Sequence, residues 1–374
     1  MSGIRYAVIG AGLAGSATAW QLARRGADVT VLEAFEVGHD RGSSHGSARI
    51  IRRAYPDRFH AALTGEAWQD WGELEAETGV QIVTRTGGLD FGLRRELLAI
   101  AESQTQLGIP HTLYGAAEAR ELWPQFAFDT EVLHHPDAGV VDADLAVRTA
   151  TARAQQLGAV VHTGWPVAAV QKEAGRYVIS SAAGQPAITV DVVVVTAGPW
   201  LPELVQRLPV DPTAFPSFEV TQQQVFHFQR RDETQWPIFV HQDALSVYGL
   251  PGGRDVGPDL VKVAEHDGGQ VTTAEDRDFR VDPRARQRLV DYVGAYLPGL
   301  DPEPLAEATC LYTSTPSEDF LIDRMDGLVI VSPCSGHGAK FAPTVGRLAT
   351  ELATGTRTRT LDRFSFAAHA GTLV

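Results

Sequence analysis

The sequence predicts an α/β fold in which a parallel, helix-covered sheet carries an inserted antiparallel sheet. Three observations predict it. Residues 4–33 read as strand, glycine turn, helix and strand, closed by an acidic residue. Residues 190–198 and 327–340 repeat the step from an apolar strand into a glycine-bearing loop. Residues 215–319, between them, change to the period-two alternation of antiparallel strands.

In the first unit, residues 4–9 (IRYAVI) form a strand and run into Gly10, Gly12 and Gly15, the spacing G-x-G-x-x-G. Residues 13–25 read as a helix, residues 27–32 as a second strand, and Glu33 stands at its end. The first glycine makes the turn, the second lets a pyrophosphate reach the backbone, and the third lets helix and strand pack closely. The free N–H groups of the helix start attract phosphate. Glu33 is placed to accept from a ribose hydroxyl pair and would repel a 2′-phosphate, which argues against NADP. A glycine fingerprint alone is weak evidence, and even in this context it does not separate FAD from NAD.

The 374 residues suffice for two cores, or for one α/β body with an insertion. A formal net charge of −14 argues against nucleic acid and anionic membrane surfaces. Two cysteines, Cys310 and Cys334, make no disulfide framework and suit a reducing compartment. The short stretch before Gly10 leaves no room for a signal-peptide core, and no apolar run is long enough to span a bilayer. The expectation is a cytoplasmic protein. Only three of the 32 basic residues are lysines, Lys172, Lys262 and Lys340. Where arginine is so favoured, a retained lysine points to a site needing a compact ammonium; chance retention covers Lys172, beside Glu173 in a polar turn.

After Glu33, residues 37–47 form a polar loop with Ser43, Ser44 and His45, able to wrap a ligand. In residues 48–55 (ARIIRRAY), Arg49 and Arg52 share a face if the piece is helical; spacing alone favours a solvated basic patch. Helices are expected over 66–78, 94–107, 116–122 and 143–157, and a hairpin-like strand over 81–91. Further strands are expected over 159–162, 167–171 and 176–180. Residues 190–195 (VDVVVV) are a second buried strand, ending in small residues at Thr196-Ala197-Gly198. One NAD site needs no such second element, whereas FAD, lying across the sheet, uses one; this favours FAD.

Strands follow at 220–228, 245–250 and 260–266, where period two sets Lys262, Ala264 and His266 on one face. Lys262 lies between two valines; the bland alternative is an edge-strand lysine. After a helix at 284–296, the strand at 308–313 puts Cys310 and Tyr312 on one face, although a buried cysteine is usually an inert small hydrophobe. A last buried strand at 327–331 breaks into residues 332–340, followed by a helix at 343–353 and a tail of loop and short strand. A helix start aimed at a flavin's pyrimidine edge would stabilise negative charge on the reduced ring.

Taken together, the glycine fingerprint with Glu33, the run Ser44-His45-Gly46-Ser47-Ala48-Arg49-Ile50-Ile51-Arg52, residues 262–266, Cys310-Leu311-Tyr312-Thr313 and Ser335-Gly336-His337-Gly338-Ala339-Lys340-Phe341 resemble the monomeric sarcosine oxidase and N-methyltryptophan oxidase flavoproteins, which belong with the D-amino acid oxidase-like enzymes. The resemblance covers nearly the whole chain, with the motifs in order and spacing. It implies a Rossmann-like FAD-binding domain (1–85, 140–214 and 320–374) with an inserted antiparallel-sheet substrate domain (86–139 and 215–319).

It also implies FAD held covalently, by a thioether from Cys310 to the flavin 8α-methyl, with Cys334 unassigned. By matching, Arg52 and Lys340 meet the substrate carboxylate, and Lys262 lies over the flavin where a positive charge favours electron transfer to O₂. His45 and Arg49 flank the ring, and His266 and Tyr312 line the pocket, although a structural role for His266 stays open. Tyr248 is a further lining candidate. Gly336, His337 and Gly338, with Ser43 and Ser44, complete the expected cofactor contacts.

The chain departs from the family pattern near the pocket. It is one residue shorter around residues 58–60, with His60 near a family tyrosine; Pro333-Cys334 replaces Gly-Phe, and Ala339 replaces an aromatic. The implied activity is oxidation of a secondary amino acid, an N-methyl amino acid or cyclic imino acid, by a monomer that reduces O₂ to H₂O₂. A flavin dehydrogenase with another acceptor and a non-catalytic flavin-binding subunit remain as rivals.

Overall fold

In the computed structural model, residues 3–325 and 327–370 are described. Residues 1–2, 326 and 371–374, which belong to the expected FAD-binding domain, lie outside them. Arg5–Ile9 occupies an inner position of a sheet that, among the described residues, has six strands. Their order is Leu321–Met325, Leu328–Ser332, Val192–Val195, Arg5–Ile9, Asp28–Leu32, Val160–His162. All neighbours are parallel except the first pair. A parallel strand buried on both faces must be apolar throughout. Tyr6 and Val8 accordingly enter one core, and Ala7 and Ile9 the opposite one.

On the first face the helix Leu13–Ala23 packs between Ala143–Gln156 and Ala342–Thr354. On the other lies a three-stranded antiparallel sheet, Val167–Glu173, Arg176–Ser181 and Ile188–Val190. Helix ends follow local chemistry: the Asp142 carboxylate accepts from Leu145 N, and Gly79 takes the left-handed conformation after Arg58–Thr78. The outcome that matters for function is that three glycine-bearing loops leave the carboxyl ends of adjacent strands, side by side.

A second sheet, nine-stranded among the described residues, runs Gln270–Val271, Glu219–Arg230, Leu260–Glu265, Ser246–Pro251, Ile238–Gln242, Gly88–Phe91, Val132–His135, Thr112–Tyr114; Leu300–Ser314 also pairs with Glu219–Arg230. It is antiparallel except where Ile238–Gln242 meets Gly88–Phe91. A small sheet of Arg49–Arg52, Ala138–Val141 and Val83–Arg85 lies alongside. No helix among the described residues is long and apolar enough to cross a membrane.

Several expectations are corrected. Residues 49–52 form a strand, because they pair with Ala138–Val141; alternation then sends Arg49 and Arg52 to different partners. The hairpin-like strand at 81–91 is two strands in two sheets, Val83–Arg85 and Gly88–Phe91, separated at Thr86 and Gly87. The strand at 190–195 is interrupted at Asp191, whose carboxylate accepts from Arg5 N and Arg176 Nε. The helix expected from residue 66 begins at Arg58, capped by Asp57. The strand at 308–313 extends over Leu300–Ser314. Among the described residues the tail holds no strand: Asp362–Phe364 is a 3-10 turn and Phe366–His369 a short helix capped by Ser365, with Phe364 fully buried.

Candidate active site

A cavity of about 900 Å³ runs from Glu33 to Lys340 along the carboxyl ends of the central strands. At its nucleotide end each fingerprint glycine has its own steric cause. A Cβ on Gly10, whose φ is +95°, would stand 2.7 Å from Thr196 O; on Gly12 it would stand 2.9 Å from Ser44 Oγ; on Gly15, 1.9 Å from Gly10 O. Ser44 Oγ accepts from Leu13 N at 3.0 Å, while Gly12, at the helix start, has no capping side chain. Glu33 is buried, accepting from Ala11 N at 2.6 Å and Phe35 N at 2.9 Å, with His39 Nε2 3.4 Å away. Burial opposes its ionisation, but His39 and these two N–H groups outweigh that and hold its carboxyl below the usual range.

Further along, Lys262 is 6% exposed, and its Nζ donates to Ala48 O at 3.2 Å. Burial, then the charge of Arg49, pushes its pKa down to about 7. Arg49 donates to Ala48 O, Ser43 O and His45 O, so it clamps the residue 43–48 loop. The His45 ring does not line the cavity; burial and Arg49 push its pKa down to about 3, and it serves this loop through its carbonyl. Ser43 Oγ donates to Leu311 O, next to Cys310. Cys310 is a buried free thiol lining the cavity. Arg277, which the sequence reading missed, joins Asp40 O and Arg41 O to Thr309 O. Cys334 also lines the cavity, its Sγ accepting from Thr313 N at 3.4 Å; burial raises its thiol pKa.

At the far end Tyr55, also missed, organises two cations. Arg52 lies 4.9 Å and Lys340 Nζ 5.6 Å from its ring centroid. The Tyr55 hydroxyl meets His337 Nδ1 at 3.2 Å, and Lys340 Nζ donates to His337 O. Burial lowers the pKa of Arg52, and lowers that of Lys340 well below the usual lysine value. His266 and Tyr312 stand 5.8 Å apart, ring to ring, with Tyr248 beside Tyr312. Burial pushes the Tyr248 phenol up to about 12 and lowers the His266 pKa. A Cβ on Gly336, with φ +72°, would meet Tyr312 at 2.7 Å and His266 at 2.8 Å; on Gly338 it would stand 1.5 Å from Pro333 O. Gly336 therefore lets the loop lie against these rings, and Gly338 lets it fold onto its own backbone at Pro333. His60 lines the cavity, with Asp57 Oδ2 3.0 Å from its Nδ1 and aromatic neighbours around its ring.

The arrangement fits FAD. Tight glycines and a helix start without a capping side chain stand at one end beside the buried Glu33 carboxylate, and cations stand at the other. The sequence model described as FAD dependent oxidoreductase matches residues 5–352. The chain is 34% identical over 359 residues to peroxisomal sarcosine oxidase of Homo sapiens, spanning 92% of this chain and 90% of that one. It is 34% identical over 377 residues to monomeric sarcosine oxidase of Streptomyces avermitilis, spanning 96% and 95%. With N-methyl-L-tryptophan oxidase of Yersinia pestis the identity is 29%, spanning 92% and 94%. Among solved structures, NikD, an amino acid oxidase of nikkomycin biosynthesis, superposes with TM-score 0.85 at 23% identity over 99% of this chain and 97% of that one. L-proline dehydrogenase from P. horikoshii gives 0.84 at 21% identity over the whole of both chains. These two likenesses show the fold.

Proposed function

The chain belongs to the FAD dependent oxidoreductase family, and on that premise we propose that it oxidises the C–N bond of secondary amino acids, N-methyl amino acids such as sarcosine or cyclic imino acids. The observation that carries this reading is Arg52 and Lys340 flanking Tyr55 in the same cavity that Lys262 and Cys310 line. FAD, when bound, supplies a two-electron acceptor for the hydride equivalent leaving the carbon next to nitrogen. Arg52 offers the substrate carboxylate a planar fork and Lys340 a point charge. The same cations lower the pKa of a nearby amine, which keeps it neutral and oxidisable. The imine product is hydrolysed by water. Gly336, His266 and Tyr312 form the wall against which the amine end would lie.

Lys262 offers positive charge where dioxygen gains electrons, which supports O₂ as acceptor and H₂O₂ as product. Cys310 is the residue we assign to a thioether with the flavin. The division into an FAD-binding domain (1–85, 140–214, 320–374) and a substrate domain (86–139, 215–319) follows the membership of the two large sheets. A monomer is the accompanying proposal, supported by the relatives named monomeric, and a cytoplasmic location is proposed with it.

A panel of N-methyl and cyclic imino acids tests the reading. Anaerobic bleaching of the flavin, followed by oxygen uptake and peroxide release, is the expected result. A flavin that no member bleaches overturns it, and bleaching without re-oxidation by O₂ leaves a dehydrogenase.

A further inference from the structure

Behind Arg52 lies a buried ionic cluster. Asp90, on Gly88–Phe91, and His135, on Val132–His135, are fully buried, and the Arg95 side chain is 8% exposed. Asp90 Oδ1 accepts from Arg95 Nε at 2.6 Å, and Asp90 Oδ2 meets His135 Nε2 at 2.7 Å. Arg95 Nη2 donates to Ala54 O at 3.1 Å, and Arg52 Nη1 donates to that same carbonyl. Arg95 Nη1 reaches Gln242 Oε1 at 3.2 Å, and Arg95, Gln242 and Arg52 all line the cavity. The alternate residues Leu89 and Phe91 enter an apolar core, so Gly88 and Asp90 face the other way. Burial opposes ionisation of Asp90, but Arg95, Arg52 and His135 outweigh it and keep the carboxylate charged.

Apolar side chains of similar volume fill such a space at least as stably as an ion pair, so packing does not explain the cluster. What it does supply is a fixed carbonyl acceptor, Ala54 O, and a fixed negative charge close to Arg52. We propose that Asp90 and Arg95 are positioning residues: they set the orientation of the Arg52 guanidinium, and through it the preference for amino acids over amines that lack a carboxylate. This rests on the reading that Arg52 grips the substrate acid.

The test compares Arg52→Met, Arg95→Lys, Arg95→Gln and the double variant Asp90→Leu/Arg95→Met, which removes both members of the Asp90–Arg95 pair together and leaves His135 without its carboxylate partner. The readouts are the acetate Kd from perturbation of the flavin spectrum, kcat and KM for sarcosine and for dimethylamine, flavin content and Tm. The double variant should keep its flavin, with acetate Kd and sarcosine KM rising about tenfold, the loss expected from one misdirected charge-assisted hydrogen bond. Turnover of dimethylamine should not change, and Arg95→Lys should recover part of the loss. Should the double variant lose its flavin, Arg95→Gln carries the same comparison. Wild-type acetate binding and wild-type preference in the stable variants would overturn the positioning role. If Arg52→Met itself leaves the preference intact, the carboxylate reading of Arg52 fails instead.

Discussion

Arg49 and Lys262 donate to the same acceptor, the carbonyl of Ala48, at 2.9 and 3.2 Å. Burial, reinforced by repulsion from Arg49, pushes the lysine's pKa down to about 7. Below pH 7 the site therefore holds two positive charges, and above it the lysine's charge is lost. Lys262→Met should slow re-oxidation of reduced flavin by O₂ at least tenfold at pH 6, with little effect on anaerobic reduction. Wild-type re-oxidation should decline as pH rises through about 7. Stopped-flow measurement of the two half-reactions checks both.

The same lysine has a stability signature. Its folded pKa lies below the unfolded value of 10.5, so the unfolded chain binds more protons between these values. The cost of burying the ammonium is complete below about pH 7 and fades as pH climbs toward 10.5. Lys262→Met should therefore raise Tm, and by more at pH 6 than at pH 9. Calorimetry at the two pH values reads the difference.

Cys310 and Cys334 both line the cavity, but only Cys310 is assigned to flavin attachment. The purified wild-type protein should keep its yellow colour in the pellet on acid precipitation. Cys310→Ala should release the colour to the supernatant, and Cys334→Ala should retain it. Colour lost from the wild type would remove the covalent assignment while leaving FAD binding itself in place.

Arg52 and Lys340 sit over one tyrosine ring. Replacing either by Met should raise KM for an N-methyl amino acid by about 10- to 100-fold, the range for losing a hydrogen bond between charged groups. Tyr55→Leu should weaken binding less, because it removes the support of both cations and neither charge. Steady-state kinetics with flavin content as the control measures each effect.

Gly15 lies within the first helix, where an added Cβ would stand 1.9 Å from the carbonyl of Gly10. Backbone cannot yield as a flexible side chain does, so Gly15→Ala should force helix and turn apart. Expression of a colourless or insoluble protein is the expected outcome, read from the visible spectrum.

Most of the nucleotide half was legible in the chain. The strand at residues 4–9, the fingerprint and Glu33 announce themselves because glycine geometry and apolar runs are local properties. Lys262 stood out against a background of arginine, whereas Cys310 and Tyr312, which alternation only sets on one face, drew their roles from the family resemblance. Residues 48–55 were less legible: their two arginines share a face only if the piece is helical, spacing alone favoured a solvated patch, and nothing local says that Ala138–Val141 will pair with them. His45 was expected beside the ring; its side chain is not among those lining the cavity, and its carbonyl holds Arg49.

The sequence by itself determined a dinucleotide-binding α/β fold, because glycine spacing and apolar runs are local signals, and its motifs in order carried the resemblance to flavin-dependent amine oxidases. The tertiary structure alone decided which charges share an oxygen, that Tyr55 lies under both Arg52 and Lys340, and that Asp90 and Arg95 stand behind Arg52. Such meetings join residues far apart along the chain. They arise from sheet register and packing, for which a linear sequence carries no periodic signal.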